Sequence, residues 1–432
     1  MRRCNGASLT LRAEQVGNCT ALGLRKPTPV QHACIPAVLA GRDCIGIAHT
    51  GSGKTAAFAL PLLQRLCADP YGVFCVVMTP TRELALQIGE QFSALSAGFA
   101  LRRAVCVGGE EQCRQAAALA RRPHVVVATP GRLRDHLDSH GGVRDALRRV
   151  ACLVLDEADR LLEPSFEPEL AALLAALPAS RQTLLFSATL TPAVAALQRL
   201  TGGAAFRFAA YDDLSLPPSM RQELLLVPAK VKEVYLAHLL APERLAAARV
   251  RSALVFCATV RGAQLLHETL RELGGAPAVL HSAMAQKARA AALQRFRSGA
   301  AALLVATDVA ARGLDIPTVD LVLNFDVPAA AADYVHRCGR TARAGRGGRA
   351  LTFVTQYDVG RVAGIEAHTG QKLTPIELPE QEVLRGMTAV LAARRAATMT
   401  LAAPGGFDER LAERRKARAA GPARRAAAAG EA

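Results

Sequence analysis

Residues 48–55 read Ala48-His49-Thr50-Gly51-Ser52-Gly53-Lys54-Thr55, after the apolar run Asp43–Ala48 and before a helical stretch. Strand, glycine loop and helix in that order are the context in which such a loop cradles phosphate. Gly51 and Gly53 let backbone N–H groups approach phosphate oxygens, and the following helix N-terminus adds its dipole. Lys54 is placed to reach the β- and γ-phosphates of a nucleotide, and the Thr55 hydroxyl to ligate Mg2+. Ala48, His49, Thr50, Gly51, Ser52, Gly53, Lys54 and Thr55 therefore form one expected nucleotide site.

A phosphate loop of this kind needs a carboxylate at the end of another strand. Leu153-Val154-Leu155-Asp156-Glu157-Ala158-Asp159 supplies an apolar strand ending in adjacent acids. Asp156 is expected to hold Mg2+ through water, and Glu157 to position and deprotonate an attacking water. Alone, three acids there could be a solvated helix start; beside the phosphate loop they read as its partner. Charge building on the γ-phosphate also needs a cation. The stretch Tyr334–Arg346 offers Arg340 and Arg343, three apart and expected on one helical face. Reaching across a cleft, they would act as arginine fingers, so turnover would require two domains to close.

Outward from these motifs, short apolar runs alternate with helical stretches, the signature of parallel α/β sheets. Strands are expected at 43–48, 73–78, 125–128, 151–155 and 183–186. A second series is expected at 223–227, 253–256, 278–280, 302–306, 321–324 and 350–354. Between the series, Tyr211-Asp212-Asp213-Leu214-Ser215-Leu216-Pro217-Pro218-Ser219 has no periodicity and reads as a flexible linker. The expected organisation is an atypical segment 1–20, a first domain 21–210, the linker 211–219, a second domain 220–378, and a helical then disordered basic tail 379–432.

The chain has 432 residues and 51% hydrophobic residues, enough for two cores, and its net charge of +16 points to a polyanionic partner. No run is long and apolar enough for a membrane span, and Met1-Arg2-Arg3 is not followed by the apolar core of a secretory signal. The 11 cysteines never form C-x-x-C, so no structural zinc is expected. They read as small buried hydrophobes in a reducing compartment.

With these residues in place, the chain resembles the DEAD-box ATP-dependent RNA helicases. Asp156-Glu157-Ala158-Asp159 spells the family's name, and the other motifs occur in the family's order over about residues 20–375. Residues 21–31 look like the adenine-reading Q motif, with Gln31 implied to hydrogen-bond the base. The resemblance implies RNA contacts from Thr81 and Arg82 (in Pro80–Ala85), Gly109 (after Gly108), and Thr129, Gly131 and Arg132. In the second half it implies further RNA contacts from Gln286, Arg289 and Thr307. Ser187-Ala188-Thr189 matches the motif coupling hydrolysis to unwinding, and Asp159 is grouped with Ser187 and Thr189 in that role. Asp315 is implied at the ribose, while His336, Arg340 and Arg343 match the last motif. The implied fold is two tandem RecA-like domains, and the implied ligands are ATP, Mg2+ and RNA. Asp69–Phe74, Val227–Lys232 and Val354–Asp358 resemble the DEAD-box helicase 49 branch. That branch implies a nucleolar, monomeric enzyme acting on pre-ribosomal RNA within pre-ribosomal particles, aided by an activating protein.

Three departures stand out. Ala48 replaces the general glycine, which is the family's own variant; Leu24 takes a place often aromatic; and no Phe precedes Phe58. Aromatic residues make up only 4% of the chain, so RNA is expected to be held through phosphate and sugar by Arg, Thr, Gln and glycine amides. Binding should then ignore base sequence, depend steeply on salt, and favour RNA through its 2′-OH. Two rival readings are an ATP-gated RNA clamp or scaffold without unwinding, and a processive DNA helicase.

Overall fold

The computed structural model describes residues 11–48, 51–139, 141–164, 166–188, 205–210, 220–308, 316, 318–341 and 347–416. The expected linker 211–219 lies outside them, as do His49, Thr50, Thr189, Asp315 and Arg343. The chain divides into two compact units, one built from the described residues up to 210 and the other from those beginning at 220.

Among the described residues the first unit holds seven parallel strands. They are β1 (Cys44–Ile47), β2 (Cys75–Met78), β3 (Arg103–Cys106), β4 (Val125–Ala128), β5 (Cys152–Asp156), β6 (Gln182–Ser187) and β7 (Phe206–Ala209). Their order across the sheet is β3-β4-β2-β5-β6-β1-β7. The inner strands are buried along their whole length and β2 and β4 are apolar throughout, as expected of a parallel sheet covered by helices on both faces. Phe58, Phe92 and Phe186 pack together in one face of that core.

The second unit repeats the plan with β8 (Met220–Leu226), β9 (Ala253–Cys257), β10 (Ala278–Leu280), β11 (Leu303–Thr307), β12 (Leu321–Asn324), β13 (Gly348–Val354) and β14 (Thr374–Ile376). Their order is β10-β11-β9-β12-β13-β8-β14, again parallel.

The sequence reading missed β3, β7 and β14, and each is an edge strand. An edge strand meets solvent, so β3 carries an exposed Arg103 and β7 an exposed Arg207, and the apolar run that signals a buried strand is broken. A second difference concerns residues 379–402, expected to open a tail outside the second domain. They are helical as expected, as Glu380–Leu384 and Met387–Ala402, but they pack onto the domain: Val383 and Val390 enter the same core as β9 and β13. Ala393, Ala397 and Leu401 continue that buried stripe at helical spacing. Residues 417–432 lie outside the described residues.

Candidate functional site

In a parallel sheet ligands gather at the carboxyl ends of the strands. The phosphate loop, the acids after β5, Ser187 and the segments expected to meet RNA all lie at that end, following β1 to β6, while Gln31 stands on helix Pro29–Leu39 ahead of β1.

The phosphate loop leaves β1 and enters helix Lys54–Ala68. Gly51 and Gly53 take φ of +81° and +87°, a conformation costly for any residue with a Cβ. A Cβ on Gly53 would also collide with Gln31 Nε2. The Gln31 amide is buried and spans two backbones: Nε2 donates to Gly53 O (3.1 Å), and Oε1 accepts from Thr28 N–H (3.1 Å). Gln31 thus grips the loop itself, a contact its motif gave no reason to expect. Lys54 is buried, and its Nζ donates to Ala48 O at 2.5 Å. Thr55 follows on the first helical turn, and the Ser52 hydroxyl is buried with no hydrogen-bond partner.

Asp156 ends β5, and Ser187 ends the neighbouring β6, which pairs with β1. Ala48 N–H donates to Ser187 O at 3.1 Å, so the coupling motif is joined by backbone to the phosphate loop. Burial pushes the Asp156 carboxyl up to about 7; Lys54 opposes that rise, while Glu157 and Asp159 add to it. Glu157 adopts φ +53°, a left-handed conformation rarely held by a side-chain-bearing residue. Its Oε2 is buried without a hydrogen-bond partner. A strained residue presenting an unsatisfied carboxylate oxygen beside a lysine and a second acid is built for a ligand that brings donors or a cation. These residues fit Mg2+ together with a nucleoside triphosphate.

The segments expected to meet RNA leave β2, β3 and β4, which are neighbours at one side of the sheet. Thr81 caps helix Arg82–Leu95, its hydroxyl accepting from Leu84 N–H at 3.4 Å. The exposed Arg82 lays its guanidinium over Gly108 and Gly109: a Cβ on Gly108 would stand 2.8 Å from Arg82 Nη2, and Gly109 has φ +84°. Arg132 Nη1 donates to Glu110 O at 3.3 Å, tying the Thr129–Arg132 segment to the same glycine loop. Beneath them, Gln115 Nε2 donates to Val107 O (2.8 Å) and its Oε1 faces His136 Nε2 (3.2 Å). The sequence gave no sign of this buried link, since Gln115 and His136 belong to separate helices with no shared spacing.

In the second unit, Thr307 ends β11 and Gln286 and Arg289 ride the helix after the adjacent β10. Thr307 Oγ1 and Gln286 Oε1 are buried and lack hydrogen-bond partners. Helix Ala331–Cys338 carries His336 and then stops, with Gly339 as its cap. The expectation that Arg340 lies on a helical face with Arg343 is therefore corrected: Arg340 falls in the turn beyond the helix and is buried, its carbonyl accepting from Val319 N–H at 3.1 Å. Arg337, given no role by the sequence, is firmly anchored. Its guanidinium donates to both Asp308 oxygens (2.5 and 2.6 Å), Asn324 Oδ1 (3.1 Å) and Asp326 O (2.6 Å).

Two family descriptions match the chain: DEAD/DEAH box helicase over residues 28–197, and helicase conserved C-terminal domain over residues 232–345. The chain belongs to the DEAD-box helicases. It is 49% identical over 408 residues to the human probable ATP-dependent RNA helicase DDX49, covering 94% of this chain and 83% of that one. It is 50% identical over 380 residues to the ATP-dependent RNA helicase dbp8 of Aspergillus niger, covering 85% and 72% respectively. Among solved structures it resembles the DEAD-box helicase Mss116 bound to single-stranded RNA and UDP-BeF, with a TM-score of 0.79 and 28% identity over 91% of this chain and 88% of that one. The two seven-stranded sheets are thus the tandem RecA-like domains of a DEAD-box protein.

Proposed function

We propose that the chain is an RNA-dependent ATPase that separates or remodels local RNA duplexes. The observation that carries the reading is the division of labour within the first sheet. Nucleotide residues leave β1, β5 and β6, the RNA segments leave β3, β4 and β2, and the two sets meet where β2 pairs with β5. One rigid sheet edge thereby links the phosphate site to the RNA site.

Thr55 and Asp156 would hold Mg2+, which supplies charge neutralisation on the phosphates when bound. Lys54 binds and orients the β- and γ-phosphates, and Gln31 fixes the loop that carries them. Glu157 orients water and takes its proton at the unsatisfied Oε2. Thr81, Arg82, Gly109, Thr129, Gly131 and Arg132 hold one stretch of RNA backbone, and Gln286, Arg289 and Thr307 another. Asp315 serves the ribose, Arg340 and Arg343 the phosphate charge with His336, and Ser187, Thr189 and Asp159 the coupling between sites. The relatives named ATP-dependent RNA helicases support this reading. The stretches Asp69–Phe74, Val227–Lys232 and Val354–Asp358 favour pre-ribosomal RNA in the nucleolus as the substrate.

The test is steady-state ATP hydrolysis with single-stranded RNA, with matched DNA, and with neither. Stimulation by RNA alone is expected; equal stimulation by DNA would overturn the reading. Glu157→Gln should bind ATP and RNA but lose turnover. Arg343→Ala should lower turnover with little loss of RNA affinity.

A further inference from the structure

Residues 407–416 form a helix that folds back onto the second unit after the turn that follows Ala402. Three contacts fix it. Asp408 takes two 2.9 Å hydrogen bonds from Arg261 Nε and Nη2. Phe407 packs edge-on against His281, with ring centroids 5.4 Å apart. Arg414 Nη1 donates to Ala283 O. The residues it rests on, His281 to Ala283, lead from β10 into the helix carrying Gln286 and Arg289.

At 100° per residue the contacts settle which way the helix faces. Asp408 marks the flank toward Arg261, Arg414 marks the flank toward the 281–285 loop, and Arg410 stands one turn from Arg414 on that same flank. Glu413 falls on the outward face, and Glu409 is occupied in accepting from Gly405 N–H at 2.6 Å. The segment's acids are thus turned away or engaged, while the exposed Arg410 and Arg414 border the loop. Arg289 and Arg414 both bear on the buried His281, which burial above all keeps neutral, with its pKa lowered to about 4.

We infer that the helix 407–416 extends the RNA site of the second unit, with Arg410 and Arg414 contacting phosphodiester groups of a strand that also meets Gln286 and Arg289. The inference rests on the proposed RNA function. Gln286 Oε1, buried and unsatisfied, shows that a ligand with donors is wanted on the same strip, and an RNA 2′-OH offers one.

The experiment is equilibrium binding of fluorescent single-stranded RNA to the full chain from 0.05 to 0.3 M salt. Each lost phosphate contact lowers the magnitude of the log–log salt slope by about 0.7. That corresponds to about 5-fold weaker binding at 0.1 M salt, so Arg410→Ala should weaken it about 5-fold and Arg410→Ala with Arg414→Ala about 25-fold. Asp408→Ala removes no cation and raises the net charge, yet should weaken binding because the helix is no longer held in place; tighter binding would overturn the inference. Glu413→Gln should change affinity less than 2-fold. RNA affinity unchanged or improved in the arginine variants, with wild type binding RNA and hydrolysing ATP, would overturn the inference alone. Wild type that neither binds RNA nor responds to it would overturn the function on which the inference rests.

Discussion

Asp156 is 4% exposed at the end of β5, and its carboxyl is pushed up to about 7 from an ordinary value of 3.8. The folded protein therefore keeps this proton over a pH range in which the unfolded chain has released it. The sign follows directly: with more protons bound in the folded state, stability falls as pH rises from about 4 to 7 and levels off above. A shift of about 3 units at 1.36 kcal/mol each makes the deficit about 4 kcal/mol on the alkaline side. Asp156→Asn cannot ionise, and it keeps the Oδ1 that accepts from Glu157 N–H at 3.1 Å. The ligand-free variant should exceed wild type by about 2 kcal/mol at pH 5 and about 4 kcal/mol at pH 8. For a domain of this size that is roughly 8–16 °C in the melting temperature of the first unit at pH 8. Calorimetry of the full chain at both pH values, without nucleotide, reads it as the one transition that moves. ATP turnover should vanish in the same variant, which is the stability–activity trade-off expected of a site built around an unfavourable charge. A gap equal at the two pH values, or an Asn variant less stable than wild type at pH 8, would refute the argument.

Gly109→Ala places a Cβ against the Arg82 guanidinium at a backbone φ of +84°, so RNA affinity should fall while fluorescent-ATP affinity stays near wild type. RNA affinity within 2-fold of wild type would show that the glycine is not needed for the arginine's placement. Arg337→Met strips Asp308 of its bidentate partner and leaves Asn324 Oδ1 without this donor. The second unit should lose about 3–5 kcal/mol in urea unfolding, and a loss under about 1 kcal/mol would mean that the pair contributes little. Lys54→Ala should abolish nucleotide binding in a fluorescent-ATP titration, and retained affinity would remove Lys54 from the phosphate site.

Much of this protein could be read along the chain because the decisive signals are local. Residues 48–55 carry the glycines, the lysine and the hydroxyl in one turn, and Asp156 to Asp159 follow an unbroken apolar run. Buried parallel strands such as Val125–Ala128 announce themselves in the same way, since both faces must be apolar. Edge strands β3, β7 and β14 escaped because solvent on one side permits Arg103, Arg207 and Pro375 among their residues. Helix Met387–Ala402 is legible as a helix but not as part of the core, because Ala393 and Ala397 make up half of its buried stripe and an alanine gives little sign of which face is covered.

What the tertiary structure alone decided is which local motifs become neighbours. Strand order, set by non-local pairing, separates the loops for nucleotide from those for RNA and brings β2 beside β5. It also joined Gln31 to Gly53, Arg82 to Gly109, Gln115 to His136, and Arg337 to Asp308. None of these pairs has a periodic spacing, because each is made by side chains from different elements meeting after the sheet has formed. The burial that lifts Asp156 is of the same kind: the carboxylate is visible in the sequence, but the dry surroundings that hold its proton exist only once the core has closed over β5.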